Sequence, residues 1–425
     1  MLETVKNALK VKEIRKKIIF TLLILLLVRF GSFIPVPGVN PEILSSVFAT
    51  NGILNIMDTF SGGSLSRFTI FALSITPYIN ASIIMTLLTA VFDRLKQISK
   101  DDHKKVTQWT RYMTVILALV QVIVITIFIR TNGAFITDSL FTWLVSVTTL
   151  TAGTMLLMWL GEQINEKGLG NGISLIIFIG IIAKVPSTIG AMINTFLGKG
   201  SIFYKDANFY ISLLLPITLL VAVVGIVIVT QAERKVPIHY AKKVVGRKIY
   251  GGQSSFIPMK LNQAGVIPII FASSILILPA TIVSIFFSNT AFAAGFTKWF
   301  GVNTPLYIIF YVLFIFAFTF FYSIISFNTT DVADNLKKNG GFIPGIRPGK
   351  PTAEAFSKIL SRITLFGAFF LAVVAIIPNI LGGALGGAQL QFGGTSLLIA
   401  VGVALDTMKQ MESQLLMRHY QGFLK

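Results

Sequence analysis

Pro77-Tyr-Ile79-Asn-Ala81-Ser82 lies inside one long apolar run, 68–91, and Pro268-Ile-Ile270-Phe-Ala272-Ser273 lies inside another, 264–287. Both read Pro-x-Ile-x-Ala-Ser, at corresponding places in the two halves of the chain. A run of about 20 apolar residues is the length a helix needs to cross the hydrocarbon core of a bilayer. Working outward from these two, eight more runs can be marked: 18–34, 113–129, 144–160 with a possible extension to Asn165, 173–196, 210–230, 306–327, 359–377 and 395–411. Five spans fall in each half. An odd number per half makes the halves run in opposite directions, which is the arithmetic of an inverted repeat with a functional site at the interface between halves. The expected fold class is an all-α polytopic membrane protein, with ten transmembrane helices in two inverted five-helix halves.

Composition agrees. The 425 residues are 54% hydrophobic and 12% charged, whereas soluble domains carry about 25% charged residues. There is no cysteine, so disulfides, thiolate chemistry and cysteine metal sites are excluded. His103, His239 and His419 lie far apart in polar segments and suggest no metal centre. The net charge of +19 is spread over the links between spans rather than gathered in one basic domain. That favours a membrane surface over nucleic acid. With the N-terminal side taken as inside, all but seven of the 36 lysines and arginines fall inside. The seven are Arg29, Arg67, Arg130, Lys184, Lys199, Lys205 and Lys298. This bias places both ends in the cytoplasm and requires an even number of spans.

Residues 1–17 are polar and basic, with Leu2, Val5, Leu9 and Ile14 at roughly helical spacing. They read as an amphipathic helix on the membrane surface or as a disordered tail. The run that follows is too long for a cleavable signal peptide and lacks a small-residue cleavage site. Residues 18–200 carry the first half and 201–417 the second, followed by a cytoplasmic tail, 418–425. Two long basic inside loops, 232–261 and 329–358, are punctuated by glycine and proline. Such loops serve as topology determinants or as docking surfaces.

Catalytic motifs are missing. No phosphate loop, G-x-S-x-G or H-E-x-x-H pattern occurs, so neither an enzyme nor a cofactor is expected. Ionisable residues within spans mark ion and proton pathways, and here they are scarce. Asp406 is the one candidate for the coupling carboxylate of a secondary transporter of a small solute, the alternative function. A helix-end anchor is its plainer reading. Lys184, past the middle of the fifth span and close to the outer mouth, finds no account in the sequence. The pairs Ile79/Ile83 and Ile177/Ile181 are spaced i,i+4 and so share one helix face each; isoleucines in membrane spans ordinarily face lipid or pack. The stretch 55–67 is too short to span and is broken by Gly62-Gly63. It is either an external loop or a non-spanning segment buried in protein at membrane depth.

Four long stretches carry a resemblance. They are Ser74–Ile84; Gly251-Gly-Gln253 with Pro258–Ser274; Asn328–Gly349; and Gly393–Ile399 running on to Asp406–Ser413. In order, spacing and wording they resemble the SecY family over essentially the whole chain. The resemblance implies a central hourglass pore between two halves, hinged at one side and opening sideways to lipid at the other, in the bacterial cytoplasmic membrane. Unfolded secretory chains pass through, and signal sequences or membrane helices leave sideways. It implies SecE-like and SecG-like small subunits, with a SecA ATPase or a ribosome on the cytoplasmic loops.

Residue by residue, the family's pore ring falls on Ile79, Ile83, Ile177, Ile181, Ile270 and Ile399. A ring of branched apolar side chains can seal against ions by dewetting and still yield around a polypeptide. The family's plug falls on 55–67, with Asn55, Ile56, Met57, Phe60, Gly62, Gly63, Leu65 and Arg67. Its lateral gate separates the second and third spans from the seventh and eighth, and Thr86, Gln121 and Asn262 are the polar candidates there. Arg347 is the docking arginine, supported by Arg234, Lys235, Arg247 and Lys248; these cations would attract ribosomal RNA phosphate.

Overall fold

The computed structural model describes residues 2–40, 42–44, 58, 61–137, 139–197, 207–240, 243–245, 248–250, 254–286, 290, 295–296, 299–301, 304–384 and 394–422. In chain order the helices of the first half are α1 (Leu2–Lys10), α2 (Lys12–Gly31), α3 (Thr76–Val91), α4 (Asp93–Asp101), α5 (His103–Thr131), α6 (Leu140–Lys167) and α7 (Gly172–Leu197). The second half begins with α8 (Ala207–Gln231), followed by β1 (Glu233–Tyr240), β2 (Lys243–Val245), β3 (Lys248–Tyr250) and β4 (Ser254–Lys260). Then come α9 (Ile267–Phe286), α10 (Pro305–Ser326), α11 (Thr329–Lys338), β5 (Gly341–Phe342), α12 (Lys350–Ala384) and α13 (Gly394–Gly422).

Each expected span overlaps one of these helices: α2, α3, α5, α6, α7, α8, α9, α10, α12 and α13 in order. Among the described residues, Lys104–Thr131, Leu140–Lys167, Pro305–Lys338 and Lys350–Ile377 are each long and apolar enough to cross a bilayer alone. Large apolar side chains stand exposed on outer faces, among them Leu22, Leu26 and Phe30 of α2 and Leu365, Phe366 and Phe369 of α12. Lipid is the solvent that suits such faces. Several buried hydroxyls return to their own helix. Thr114, Thr126 and Thr319 donate to the carbonyls of Thr110, Val122 and Ile315 at 2.7, 2.8 and 2.6 Å, because the bilayer core has no water to offer instead.

The two echoing motifs open equivalent helices. Pro77 stands in the first turn of α3 and Pro268 is the second residue of α9, positions where a missing N–H costs nothing. The second span starts later than expected, at Thr76 rather than Phe68. Residues 68–75 form successive turns instead, with Phe68 at φ 47° and Ser74 at φ 52°, and a right-handed helix cannot pass through either. At its far end α3 breaks at Phe92, and α4 leaves at 109° to it.

Close helix packing depends on small residues. A Cβ on Gly153 of α6 would run into the carbonyl oxygen of Ile70 in the turn region before α3. Gly153→Val is therefore expected to destabilise the protein by about 1–3 kcal/mol. Thermal unfolding of the purified protein measures this, and an unchanged Tm would show that α6 and the turns can separate freely. Elsewhere Arg111 of α5 grips Glu162 of α6 with two bonds, Nε and Nη2 each 2.8 Å from a carboxylate oxygen.

The polar segments are more tightly integrated than their composition suggests. The two long loops are not independent. Strand β1 pairs antiparallel with β4 from Glu233↔Lys260 to His239↔Ser254, and β5 of the second loop joins β1 through His239↔Phe342 and Tyr240↔Gly341. Val236, Ile238 and Met259 of this three-stranded sheet share a small core with Leu336, Ile343, Phe356 and Leu360. Alternate residues of β1 face that core, and the rest face out. The N-terminal segment is helical, as its spacing suggests; Ile14 is buried with Ala8, Leu169 and Met411, while Leu9 stands exposed.

Candidate functional site

Four helices deliver the six candidate ring isoleucines to one place. Ile79 and Ile83 come from α3, Ile177 and Ile181 from α7, Ile270 from α9 and Ile399 from α13. All six belong to a single apolar cluster. Ile83, Ile177, Ile181 and Ile399 are buried, while Ile79 and Ile270 pack against them half-buried. The branched side chains pack together where these four helices meet.

Beside this cluster sits the described part of the candidate plug, Asp58 and residues 61–67. Asn55, Ile56, Met57 and Phe60 lie outside the described residues; Gly62, Gly63, Leu65 and Arg67 lie within them. Gly62 (φ +67°) and Gly63 (φ +86°) both take left-handed backbone, which glycine adopts without steric cost. A Cβ on Gly62 would come within 2.8 Å of the Cα and carbonyl oxygen of Gly180 on α7. Leu65 is buried in a second apolar cluster with Val36, Phe68, Ile129 and Leu150.

Asp58, which no sequence motif singles out, organises this segment. It is 6% exposed. Its Oδ1 accepts from the Ser66 backbone N–H at 2.8 Å and its backbone carbonyl accepts from Gly63 at 2.9 Å. Its Oδ2 receives Lys184 Nζ of α7 at 2.6 Å. Lys184 thus gains the account that the sequence alone lacks. A signal for it exists as spacing: Ile177, Gly180, Ile181 and Lys184 fall at i, i+3, i+4 and i+7, one stripe of a helix. That stripe presents two candidate ring isoleucines, the close-contact glycine and the anchoring lysine together.

Arg29 and Arg67 also serve this region. Arg29 Nη1 donates to the Gly62 carbonyl at 3.2 Å, and both guanidinium groups lie over the Phe33 ring, 4.8 and 5.0 Å from its centroid. Of the seven cations that break the inside-positive pattern, Arg29, Arg67, Arg130 and Lys184 are described, and three of these four converge on the candidate plug.

Comparison with known proteins decides the family. The SecY family profile matches residues 69–408. The "Protein translocase subunit SecY" of Halalkalibacterium halodurans is 45% identical over 433 residues, covering all of both chains. The chain belongs to the SecY family. Its fold is shared with a solved SecY structure at a TM-score of 0.67 and 19% identity, covering 94% of this chain and 92% of that one. That structure is described as showing that the plug domain of the SecY protein stabilizes the closed state of the translocation channel and maintains a membrane seal. Sec61 in the canine ribosome-channel complex from the endoplasmic reticulum aligns at a TM-score of 0.61 and 18% identity, over 94% of this chain and 92% of that chain.

In this SecY-family chain the lateral-gate candidates do not form a hydrogen-bonded set among the described residues. Thr86 Oγ1 donates to the Ser82 carbonyl of its own helix at 2.7 Å. Gln121 Oε1 and Asn262 Oδ1 are buried and accept no hydrogen bond. The helices do meet: α9 touches both α3 and α5. The docking candidates spread over the strands of the first long loop and the turn after β5. Arg234 and Lys235 are exposed on β1, and Lys235 Nζ lies 4.7 Å from the centre of the Phe256 ring. Lys248 belongs to β3, and Arg247 lies outside the described residues. Arg347 is exposed in a turn whose backbone is held by Thr352 Oγ1 donating to the Arg347 carbonyl at 2.8 Å.

Proposed function

We propose that this SecY-family chain is the protein-conducting channel of the cytoplasmic membrane. It passes unfolded secretory polypeptides between its halves and releases membrane helices sideways into lipid. The observation that carries this reading is the convergence of six isoleucines from four helices, with the Asp58 and 61–67 segment seated beside them. An apolar constriction has nothing to coordinate an ion, so it is dry when closed and deformable when a chain enters. That segment is the plug, the seam of α3 and α5 against α9 and α10 is the lateral gate, and the sheet with its Arg347 turn is the docking face.

The chain itself performs no catalytic step in this reading; a SecA-like ATPase or a ribosome drives transport, and SecE-like and SecG-like subunits brace the channel. The site disfavours solute transport. Lys184 and Asp58 are buried and closed on each other, and Asp406 is exposed. Among the described residues, then, neither carboxylate suits a coupling ion at the midplane. The test is transport of a secretory precursor into vesicles holding this chain, the small subunits, SecA and ATP. Protease-protected precursor is expected, and crosslinking cysteines placed on α3 and α9 should abolish it. Absence of protection with all partners bound and active would overturn the channel reading.

A further inference from the structure

Lys184 and Asp58 are 8% and 6% exposed, and their charged atoms are 2.6 Å apart. Each would be costly to bury alone, so the pair is favourable only while the two elements stay together. Lys184 stands on α7, four residues after Gly180 and in line with the ring residues Ile177 and Ile181. Asp58 holds the turn whose Gly62 rests on Gly180. With this segment read as the plug, an opening of the ring that admits a polypeptide lifts the turn off Gly180. That separates Lys184 from Asp58 and frees the Gly62 carbonyl from Arg29.

We infer that the Lys184–Asp58 ion pair is a closed-state latch that sets how strong a signal segment must be to open the channel. The inference rests on reading the Asp58 and 61–67 segment as the plug. The latch acts only in the closed state, so it shifts the closed–open equilibrium, and an incoming segment opens the channel only through its greater affinity for the open state. A weak signal segment supplies too little and is rejected. Opposing the latch are Phe68 and Ser74, two left-handed non-glycine residues in the connection to α3, where a rearrangement relieves backbone strain. Arg29 holds the same segment through a single carbonyl, so the two contacts share the closed state.

The experiment uses the channel reconstituted with its small subunits, SecA and ATP, and two precursors. One has an intact signal sequence, and in the other the apolar core of that sequence is broken by a charge. Lys184→Met and Asp58→Asn are each expected to raise the ratio of defective to intact precursor transported by about tenfold. The exchange Lys184→Asp with Asp58→Lys should return the ratio towards that of the native chain. Native-like rejection in both single variants would overturn the latch. If a single variant fails to assemble, the exchange decides: rejection restored supports the pair, and rejection lost overturns it. A further arm separates the latch from the plug reading. Asp58→Cys with Lys184→Cys, bridged by a bis-maleimide as long as the lost lysine, pins the segment in a chain with no other cysteine. Continued transport when bridged would overturn the plug and the latch together. A block on transport, with single variants that discriminate normally, would leave the plug in place and remove the latch alone.

Discussion

Serine at Ile79, Ile83 and Ile270 together is expected to turn ion-tight resting vesicles leaky. In the structure these side chains pack into one cluster with Ile177, Ile181 and Ile399. Each substitution removes a branched hydrocarbon and adds a hydroxyl, so the constriction both widens and wets. Truncating a buried isoleucine costs about 2–5 kcal/mol when the site cannot collapse. If only about 3 kcal/mol of the combined loss comes off the barrier to a hydrated ion, the leak rises about a hundredfold. Planar-bilayer conductance or the decay of an imposed membrane potential measures it. Valine at the same positions keeps branched bulk and should stay tight. Baseline conductance in the serine variant would remove these residues from the seal.

Arg347→Glu is expected to abolish SecA-driven transport while the channel still assembles with its small subunits. The turn that carries the side chain is held through its own backbone, Thr352 Oγ1 donating to the Arg347 carbonyl and Ile346 N–H to the Ile343 carbonyl at 3.0 Å. Charge reversal therefore leaves the turn intact and acts on the partner. A charge-assisted hydrogen bond contributes about 1.5–3 kcal/mol, and reversal adds repulsion to its loss, so transport should fall at least about tenfold. Arg347→Lys keeps the charge but not the planar fork, and an intermediate rate is expected. Normal transport in the glutamate variant would end the docking role of this residue.

Much of the fold is legible in the chain because hydropathy in a membrane protein is a one-dimensional signal. Each of the ten apolar runs overlaps a helix. Spacing places each isoleucine pair on a single face, and the resemblance to the SecY family points to the faces that meet. What stays hidden depends on which residues become neighbours. The late start of α3 comes from turns held by Val36 N–H to the Phe68 carbonyl and Ile70 N–H to the Ile34 carbonyl, contacts with the chain after α2. The union of the two long loops comes from two residue pairs between β1 and β5, too short a strand to announce itself. Polarity selects the gate candidates, but Thr86 spends its hydroxyl within its own helix.

Residue type and spacing along single helices were enough for the membrane class, the span positions, the inside-positive bias and the shared faces of the isoleucine pairs. The work of the out-of-place cations emerges only once the helices are assembled. Lys184 and Asp58 are 126 residues apart in sequence, and no periodicity links them. Their pairing exists because Gly62 and Gly180 let two backbones approach, and in that low-dielectric contact a lysine with no evident place becomes the counter-ion of a buried carboxylate.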